Sequence, residues 1–285
     1  MNQLILAHEG VFPITTDRNG QPLSDKPATG FATPGTIQGE GKLAGTPSLF
    51  IRFASCNLRC IWQLPNGKLS RCDTPYASFN TAHNIKTNVR EVVDLVKENL
   101  GNIQHIVITG GEPLLQKEPL ASLAALLKEE TKAHLTLETN GTLFDAEVAS
   151  HIDLFSVSPK LANSNPNFHK LETLGLSPSG PLIYHAEKRV NIPVVQAFID
   201  AANQPGKEIQ LKFVVGRPEE DLEISDSFLR QLHGWKPADI LLMPVGANRE
   251  ELSRTSKMVM EMAIRHGWRY APRIHIELFG SKPGV

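Results

Sequence analysis

Cysteine is scarce in this chain: there are three in 285 residues, all between positions 56 and 72. A disulfide framework normally uses an even number of cysteines spread along the chain. Three clustered thiols fit a metal or cluster site in a reducing compartment better. An excess of charge of one sign is missing too. The formal net charge of -1 gives no electrostatic reason to expect nucleic acid as a partner. No apolar run approaches the ~20 residues that span a bilayer, and the apolar stretch at residues 4–7 is too short for a signal-peptide core. The expectation is a soluble cytoplasmic protein with no membrane partner. Repeats and low-complexity tracts are also lacking. What remains is ordinary globular composition, and the length suits one domain over residues 1–285.

Residues 1–35 are rich in Gly, Pro, Asp and Thr and hold no sustained period. They read as an irregular N-terminal segment, either partly disordered or carrying a hairpin around Asn19-Gly20. From there, apolar β-type runs alternate with helical patterns. Strands are predicted at 48–53, 105–109, 135–138, 154–158, 209–215, 240–243 and 273–278. Helices are predicted at 89–99, 118–130, 189–202, 219–232 and 249–266. In the first helix Val89, Val92, Val93 and Val96 share one face. The alternation implies βαβ units and a parallel α/β sheet wound by right-handed crossovers into an open or closed barrel. Ligands in such folds sit beyond the carboxyl ends of the strands, so the polar residues that follow each strand carry the function.

The first such end is Ser55-Cys56-Asn57-Leu58-Arg59-Cys60-Ile61-Trp62, continued by Cys72-Asp73-Thr74. Three thiolates can hold three irons of a [4Fe–4S] cube and leave the fourth open for a second molecule. A four-ligand zinc site with His83 as the fourth ligand, or three buried apolar cysteines, are the competing readings. Residues 63–71 contain no Cys or His. Leu64-Pro65-Asn66-Gly67-Lys68 is turn chemistry that can loop outward at small entropic cost. The later strand ends are Thr109-Gly110-Gly111-Glu112-Pro113, Glu138-Thr139-Asn140-Gly141-Thr142, Ser158-Pro159-Lys160 and Met243-Pro244-Val245-Gly246. In the first of these the two glycines allow close backbone approach to a ligand, and Glu112 can accept hydrogen bonds from a ligand ammonium. A strand-to-helix turn with Pro113 in the first turn explains the same residues without a ligand.

With residues 63–71 set aside, the cysteine segment resembles the three-cysteine signature of radical S-adenosylmethionine (SAM) enzymes. Gly110-Gly111-Glu112-Pro113 resembles that superfamily's motif for the methionine amino group, and Ser158-Pro159-Lys160 its contact to ribose and carboxylate. The resemblance implies a partial, modified TIM-like (β/α) barrel with a [4Fe–4S] cluster on Cys56, Cys60 and Cys72. It also implies S-adenosylmethionine held by Asp73, Gly111, Glu112, Glu138, Asn140, Ser158, Pro159, Lys160, Met243 and Pro244, with no catalytic side chain beyond the cofactor.

A narrower resemblance, over roughly residues 36–285, is to the 7-carboxy-7-deazaguanine synthases of queuosine (7-deazapurine) biosynthesis. It rests on Thr36-Ile37-Gln38-Gly39-Glu40-Gly41, Gly45-Thr46-Pro47, Phe50-Ile51-Arg52, Cys72-Asp73-Thr74 and the closing Pro272-Arg273-Ile274-His275-Ile276-Glu277-Leu278-Phe279-Gly280. It implies a lyase that converts 6-carboxy-5,6,7,8-tetrahydropterin to 7-carboxy-7-deazaguanine with loss of ammonia. Substrate contacts are then expected at Ile37, Gln38, Gly39, Glu40, Arg52, Thr109, His275 and Val285, with Mg²⁺ on Thr74. A homodimer and a reductase or flavodoxin-type electron donor are implied as well. The residue types suit these roles. Glu40 can accept from ring N–H groups, Arg52 can pair bidentately with the substrate carboxylate, and Thr74 offers Mg²⁺ an oxygen. Arg52 stands four residues before Cys56, so the two are expected on one side of a strand. A glycyl-radical activating enzyme of the same superfamily and a non-catalytic zinc module are the alternatives.

Overall fold

A parallel sheet runs through the molecule, and the apolar runs of the sequence form its strands. The computed structural model describes residues 3–80 and 82–285. The strands are β1 (Gln3–Phe12), β2 (Thr36–Ile37), β3 (Pro47–Phe53), β4 (Ile61–Gln63), β5 (Leu69–Arg71), β6 (Ile85–Asn88), β7 (His105–Gly110), β8 (His134–Thr139), β9 (Leu154–Val157), β10 (Glu208–Val215), β11 (Ile240–Pro244) and β12 (Arg269–Tyr270). The main sheet has the order β12-β11-β10-β9-β8-β7-β3-β1-β6, with β2 against β3. From β3 to β12 all neighbours along this order are parallel. The result is a partial, TIM-like barrel, open between β12 and β6.

The helices that join these strands cover the outer face. The longer ones are α1 (Val89–Leu100), α2 (Lys117–Thr131), α3 (Ile192–Ala202) and α4 (Arg249–His266). Local chemistry sets their ends. Asn88 caps α1 by accepting from the Glu91 N–H, and Asn248 caps α4 in the same way through Glu251; such caps satisfy a donor that the helix itself cannot. Gly267, at φ 68°, ends α4 in the left-handed conformation that suits glycine. Val89, Val92, Val93 and Val96 turn inward against Ile51, Ile106 and Leu135 in one continuous core.

Three expectations are corrected. The N-terminal segment is not irregular throughout: residues 3–12 form β1, antiparallel to both β3 and β6. Leu4 and Leu6 alternate into the core, but a register shift between Leu6 and Val11 breaks the alternation that would have betrayed the strand. Beyond Phe12 the chain does turn at Asn19-Gly20, with Asp17 accepting from the N–H groups of Asn19 and Gln21 at 2.8 and 2.9 Å. Second, residues 273–278 are helical, not extended. The outer edge of β11 is already taken by β12. The Ile274 N–H goes to Gly39 O, 2.9 Å away, and the chain then turns into a helix over Ile274–Phe279. Third, two helices differ in detail. The one expected at 189–202 starts three residues later, at Ile192, where Asn191 caps it and Pro193 suits its first turn; a separate helix, Pro181–Lys188, precedes it. The one expected at 219–232 is helical over residues 220–231 but changes winding, from an α turn at Glu220–Leu222 to a π-helical stretch over Glu223–Phe228 and a 3-10 turn at Leu229–Gln231.

His105 illustrates how the core is tied. Its ring is buried between Ser48 Oγ at 2.7 Å and Thr136 Oγ1 at 2.8 Å, and burial pushes its pKa down to about 4. The unfolded chain takes up this proton below about pH 6.5, whereas the folded protein refuses it until about pH 4. Stability should therefore be full above pH 6.5 and fall as pH drops, by about 2 kcal/mol from this one group at pH 5. Urea denaturation at pH 7 and pH 5 checks this: His105→Gln should narrow the difference between the two midpoints, and an unchanged difference would refute the assignment.

Candidate active site

Strand register builds the floor of the site. Arg52 pairs with Thr109 across β3 and β7, Glu138 with Ser156 across β8 and β9, and Ser156 with Gln210 across β9 and β10. These neighbours join into a polar belt: Thr109 Oγ1 donates to Glu138 at 2.8 Å and Gln210 Nε2 to Ser156 Oγ at 2.7 Å. Lys212 lies two residues beyond Gln210, on the same face. Apart from Gln210, which lies behind Ser156, the belt and the three thiols line one cavity of about 330 Å³.

The cysteine loop leaves β3 abruptly. The strand ends at Phe53, and Ser55 takes φ 75°, so Arg52 and Cys56 do not share a strand face as expected. Both nevertheless line the cavity. Gly110 and Gly111 hold the turn in place. A Cβ on Gly111 would stand 2.1 Å from Ser55 O, and the N–H groups of Gly111 and Glu112 bond to the carbonyls of Phe53 and Ser55. The double glycine thus lets β7 press against the cysteine loop. Residues 63–71 do not simply loop out. β4 and β5 pair Ile61 with Arg71, and the Cys72 N–H reaches Cys60 O at 3.1 Å. The hairpin closes its own ends and restores Cys60 and Cys72 as neighbours. Its tip, residues 65–68, is exposed, but its base is docked: Leu64 is buried, and Gln63 bonds to Asn163 and Arg217.

The donor set fits a cluster. Cys56 Sγ accepts from the Leu58 N–H at 3.4 Å and from the Asn140 amide at 3.7 Å, while Cys72 Sγ meets Thr74 Oγ1 at 3.3 Å. Among the described residues no three Cys, His, Asp or Glu converge tightly enough for a single ion. His83 is exposed and does not line the cavity. Three thiols on one wall without a common centre suit several irons rather than one zinc.

Of the residues expected to hold S-adenosylmethionine, Asp73, Gly111, Glu138, Asn140, Ser158, Lys160 and Met243 line the cavity; Glu112, Pro159 and Pro244 do not. Glu112 is fully buried and accepts from Thr139 Oγ1 and from the N–H groups of Asn140 and Leu114. Burial raises its carboxyl to about 7. It fastens the turns after β7 and β8 to each other. Glu138 faces the other end of the cavity, bonded to Gln38 Nε2 at 3.2 Å and to Thr109. All the expected substrate contacts line the cavity: Ile37, Gln38, Gly39, Glu40, Arg52, Thr109, His275 and Val285. Gly39 has no room for a Cβ because His275 Nδ1 would lie 2.1 Å from it.

Sequence reasoning missed two cations, Lys212 and Arg273. Lys212 Nζ meets Glu40 Oε2 at 2.5 Å and Arg273 Nε meets Oε1 at 2.8 Å. Burial by itself would raise the Glu40 pKa, but Lys212 and Arg273 outweigh it and keep the carboxyl well below the usual range. Arg273 also donates to Asp73 at 2.6 Å and to Gly246 O at 2.5 Å. It therefore ties the cysteine segment, the Gln38–Glu40 loop and the turn after β11 together. Alternate polar residues at 210 and 212 in an otherwise apolar strand were the signal available for Lys212. Arg273→Met should cost about 3 kcal/mol, near the low end for breaking a buried pair because Lys212 still holds Glu40. Chemical denaturation checks this, and Arg273→Lys, which keeps the buried charge beside Glu40, should lose less. A single variant as stable as the parent would contradict it.

The comparisons with known proteins agree with this geometry. The Radical SAM superfamily matches residues 51–171. The 7-carboxy-7-deazaguanine synthase of Halobacterium salinarum is 36% identical over 281 residues, covering 94% of this chain and 97% of that protein. The synthase of Rhodopirellula baltica is 36% identical over 248 residues, covering 87% and 85%. The crystal structure of QueE from Escherichia coli has the same fold, with a TM-score of 0.58 at 21% identity over 96% of this chain and 95% of that one. Barrel, cysteine loop and matches define a radical SAM enzyme. Within that class, the chain belongs to the 7-carboxy-7-deazaguanine synthase family, a family of lyases.

Proposed function

We propose that this protein converts 6-carboxy-5,6,7,8-tetrahydropterin to 7-carboxy-7-deazaguanine and ammonia, with the pterin held by the polar belt beside the three thiols. The observation that carries the reading is that the thiols of Cys56, Cys60 and Cys72 share one cavity with Gln38, Glu40, Arg52, Thr109 and Glu138. A [4Fe–4S] cluster with S-adenosylmethionine, when bound, would supply the one-electron radical chemistry that the conversion of the pterin needs.

The side chains bind, orient and shield. Cys56, Cys60 and Cys72 would hold three irons, and the Asn140 side-chain amide and Leu58 N–H stabilise the Cys56 sulfur. Asn140, Ser158, Lys160 and Met243 form the cofactor wall. Glu40, kept ionised by Lys212 and Arg273, accepts from ring N–H groups, as does Glu138. Arg52 takes the substrate carboxylate. Thr74 is our candidate Mg²⁺ ligand, its hydroxyl standing beside Cys72, and a flavodoxin-type carrier is our candidate electron donor. The glycyl-radical alternative would need none of the polar belt. Anaerobic incubation of iron-loaded protein with dithionite, S-adenosylmethionine and the carboxypterin, followed by mass spectrometry, tests the reading. Methionine release without the deazaguanine product from fully loaded protein would refute it.

A further inference from the structure

At the substrate end of the cavity each cation has an acid beside it: Arg52 faces Glu9, Lys212 faces Glu40, and Arg273 faces Glu40 and Asp73. Arg59, between the first two cysteines, differs. Its Nη1 donates to the carbonyl oxygens of Cys56 at 2.6 Å and Leu58 at 2.8 Å. Its guanidinium carbon stands 5.5 Å from the centroid of Phe79, a ring that Arg71 approaches to 5.6 Å. Among the described residues, no carboxylate forms an ion pair with it. The backbone is fixed as well: the Arg59 N–H donates to Nδ1 of buried His185 at 3.1 Å, and His185 Nε2 meets Ser164 Oγ at 3.0 Å. Neutral carbonyls and an aromatic face hold the guanidinium without cancelling its charge. Its hydrogen bonds hold it on the loop that carries Cys56 and Cys60, whose sulfurs would be ionised when they hold a cluster. Lys160 and Lys170 also lack a carboxylate partner, but Lys160 donates to Ser158 and Lys170 to the carbonyls of Ile61 and Asn163. Among the described residues, Arg59 is the cation that folds back onto the carbonyls of the Cys56–Cys60 loop.

We infer that Arg59 is a fixed positive charge that raises the electron affinity of the cluster. This rests on the reading that the three cysteines hold one. Adding an electron to a cluster bound by three thiolates increases a negative charge. A cation held in a partly desolvated loop favours the reduced form more than the oxidised form. Arg59 is thus a positioning and tuning residue that touches neither substrate nor cofactor.

The test uses Arg59→Gln and Arg59→Lys, reconstituted anaerobically and assayed for iron and sulfide. The proteins are titrated with dithionite while the EPR signal of the reduced cluster is followed. At a fixed solution potential, Arg59→Gln should show about a tenfold lower ratio of reduced to oxidised cluster. For a one-electron couple that is a midpoint about 59 mV more negative. Arg59→Lys should stay near wild type. A wild-type midpoint in fully loaded Arg59→Gln overturns the inference, as does an equal drop in both variants. If Arg59→Gln fails to load, Arg59→Lys decides: loading with a wild-type midpoint supports the charge, and failure of both assigns the residue to loop geometry alone. A wild-type protein that binds no cluster would instead remove the cysteine reading, so the two failures are distinguishable.

Discussion

Cys60→Ala should abolish the broad iron–sulfur absorption and all turnover, and Cys56→Ala and Cys72→Ala should do the same. The chain has only three cysteines, and no described His, Asp or Glu groups with them tightly enough to substitute for a missing ligand. Two thiolates cannot hold a cubane whose fourth iron must stay open. Burial matters as well. It pushes the Cys56 thiol up to about 12 and raises those of Cys60 and Cys72, so the thiols of the metal-free protein are protonated at neutral pH. Binding a cluster must displace those protons, a cost that the iron–thiolate bonds offset, and replacing any one thiol removes one of those bonds. Iron and sulfide analysis of anaerobically reconstituted variants measures the effect. Full loading in any one of them would remove that cysteine from the ligand set.

Arg52→Ala should lose about 2–5 kcal/mol in kcat/KM for the carboxypterin, the penalty for truncating one partner of a desolvated charge pair. The guanidinium is sandwiched, 5.0 Å from the Phe12 ring and 5.8 Å from that of Tyr76, with its Nε 3.1 Å from Glu9. That Nε makes no hydrogen bond to protein, and Arg52 lines the cavity that the thiols also line. The cluster absorption should survive, together with slow uncoupled cleavage of S-adenosylmethionine, because the cofactor wall is formed by other residues. The substitution also strands Glu9, whose side chain is 9% exposed, so some stability will be lost. Glu9→Gln in the same protein separates the two effects: stability should return while pterin turnover stays low. Wild-type carboxypterin kinetics in Arg52→Ala would remove the ground for assigning it to the substrate carboxylate.

Charge pairing explains why part of the site could not be read in advance. Glu40 was legible as an acceptor from its place in Gln38-Gly39-Glu40. That its carboxylate is held between Lys212 and Arg273 was not, because those partners lie 172 and 233 residues away. Glu138 was assigned to the cofactor as the first residue of a strand-end motif. Its neighbour across the sheet is Thr109, and that contact, with the one from Gln38, holds it on the Gln38–Glu40 side of the cavity. Glu112 had the right motif and the right strand end, but its carboxylate closes on Thr139 and Asn140 beneath the cavity.

By itself the sequence determined the class of chemistry and the parallel core. Three clustered cysteines, glycines after a strand and apolar runs of β length separated by helical periods are local signals. Each acts through side-chain identity and short-range backbone preference, so six of the seven predicted strands appear where expected. Tertiary structure decided the rest. It recruited residues 3–12 as a strand, because hydrogen bonding to β3 and β6 outweighs a broken alternation. It coiled residues 274–279, because β12 occupies the strand edge they would have used. It also folded the long gap between Cys60 and Cys72 into a hairpin that brings its own ends together. Pairing energy across a sheet, and the cost of burying an unpaired charge, depend on partners distant in the chain. Neither is visible until the sheet has closed around them.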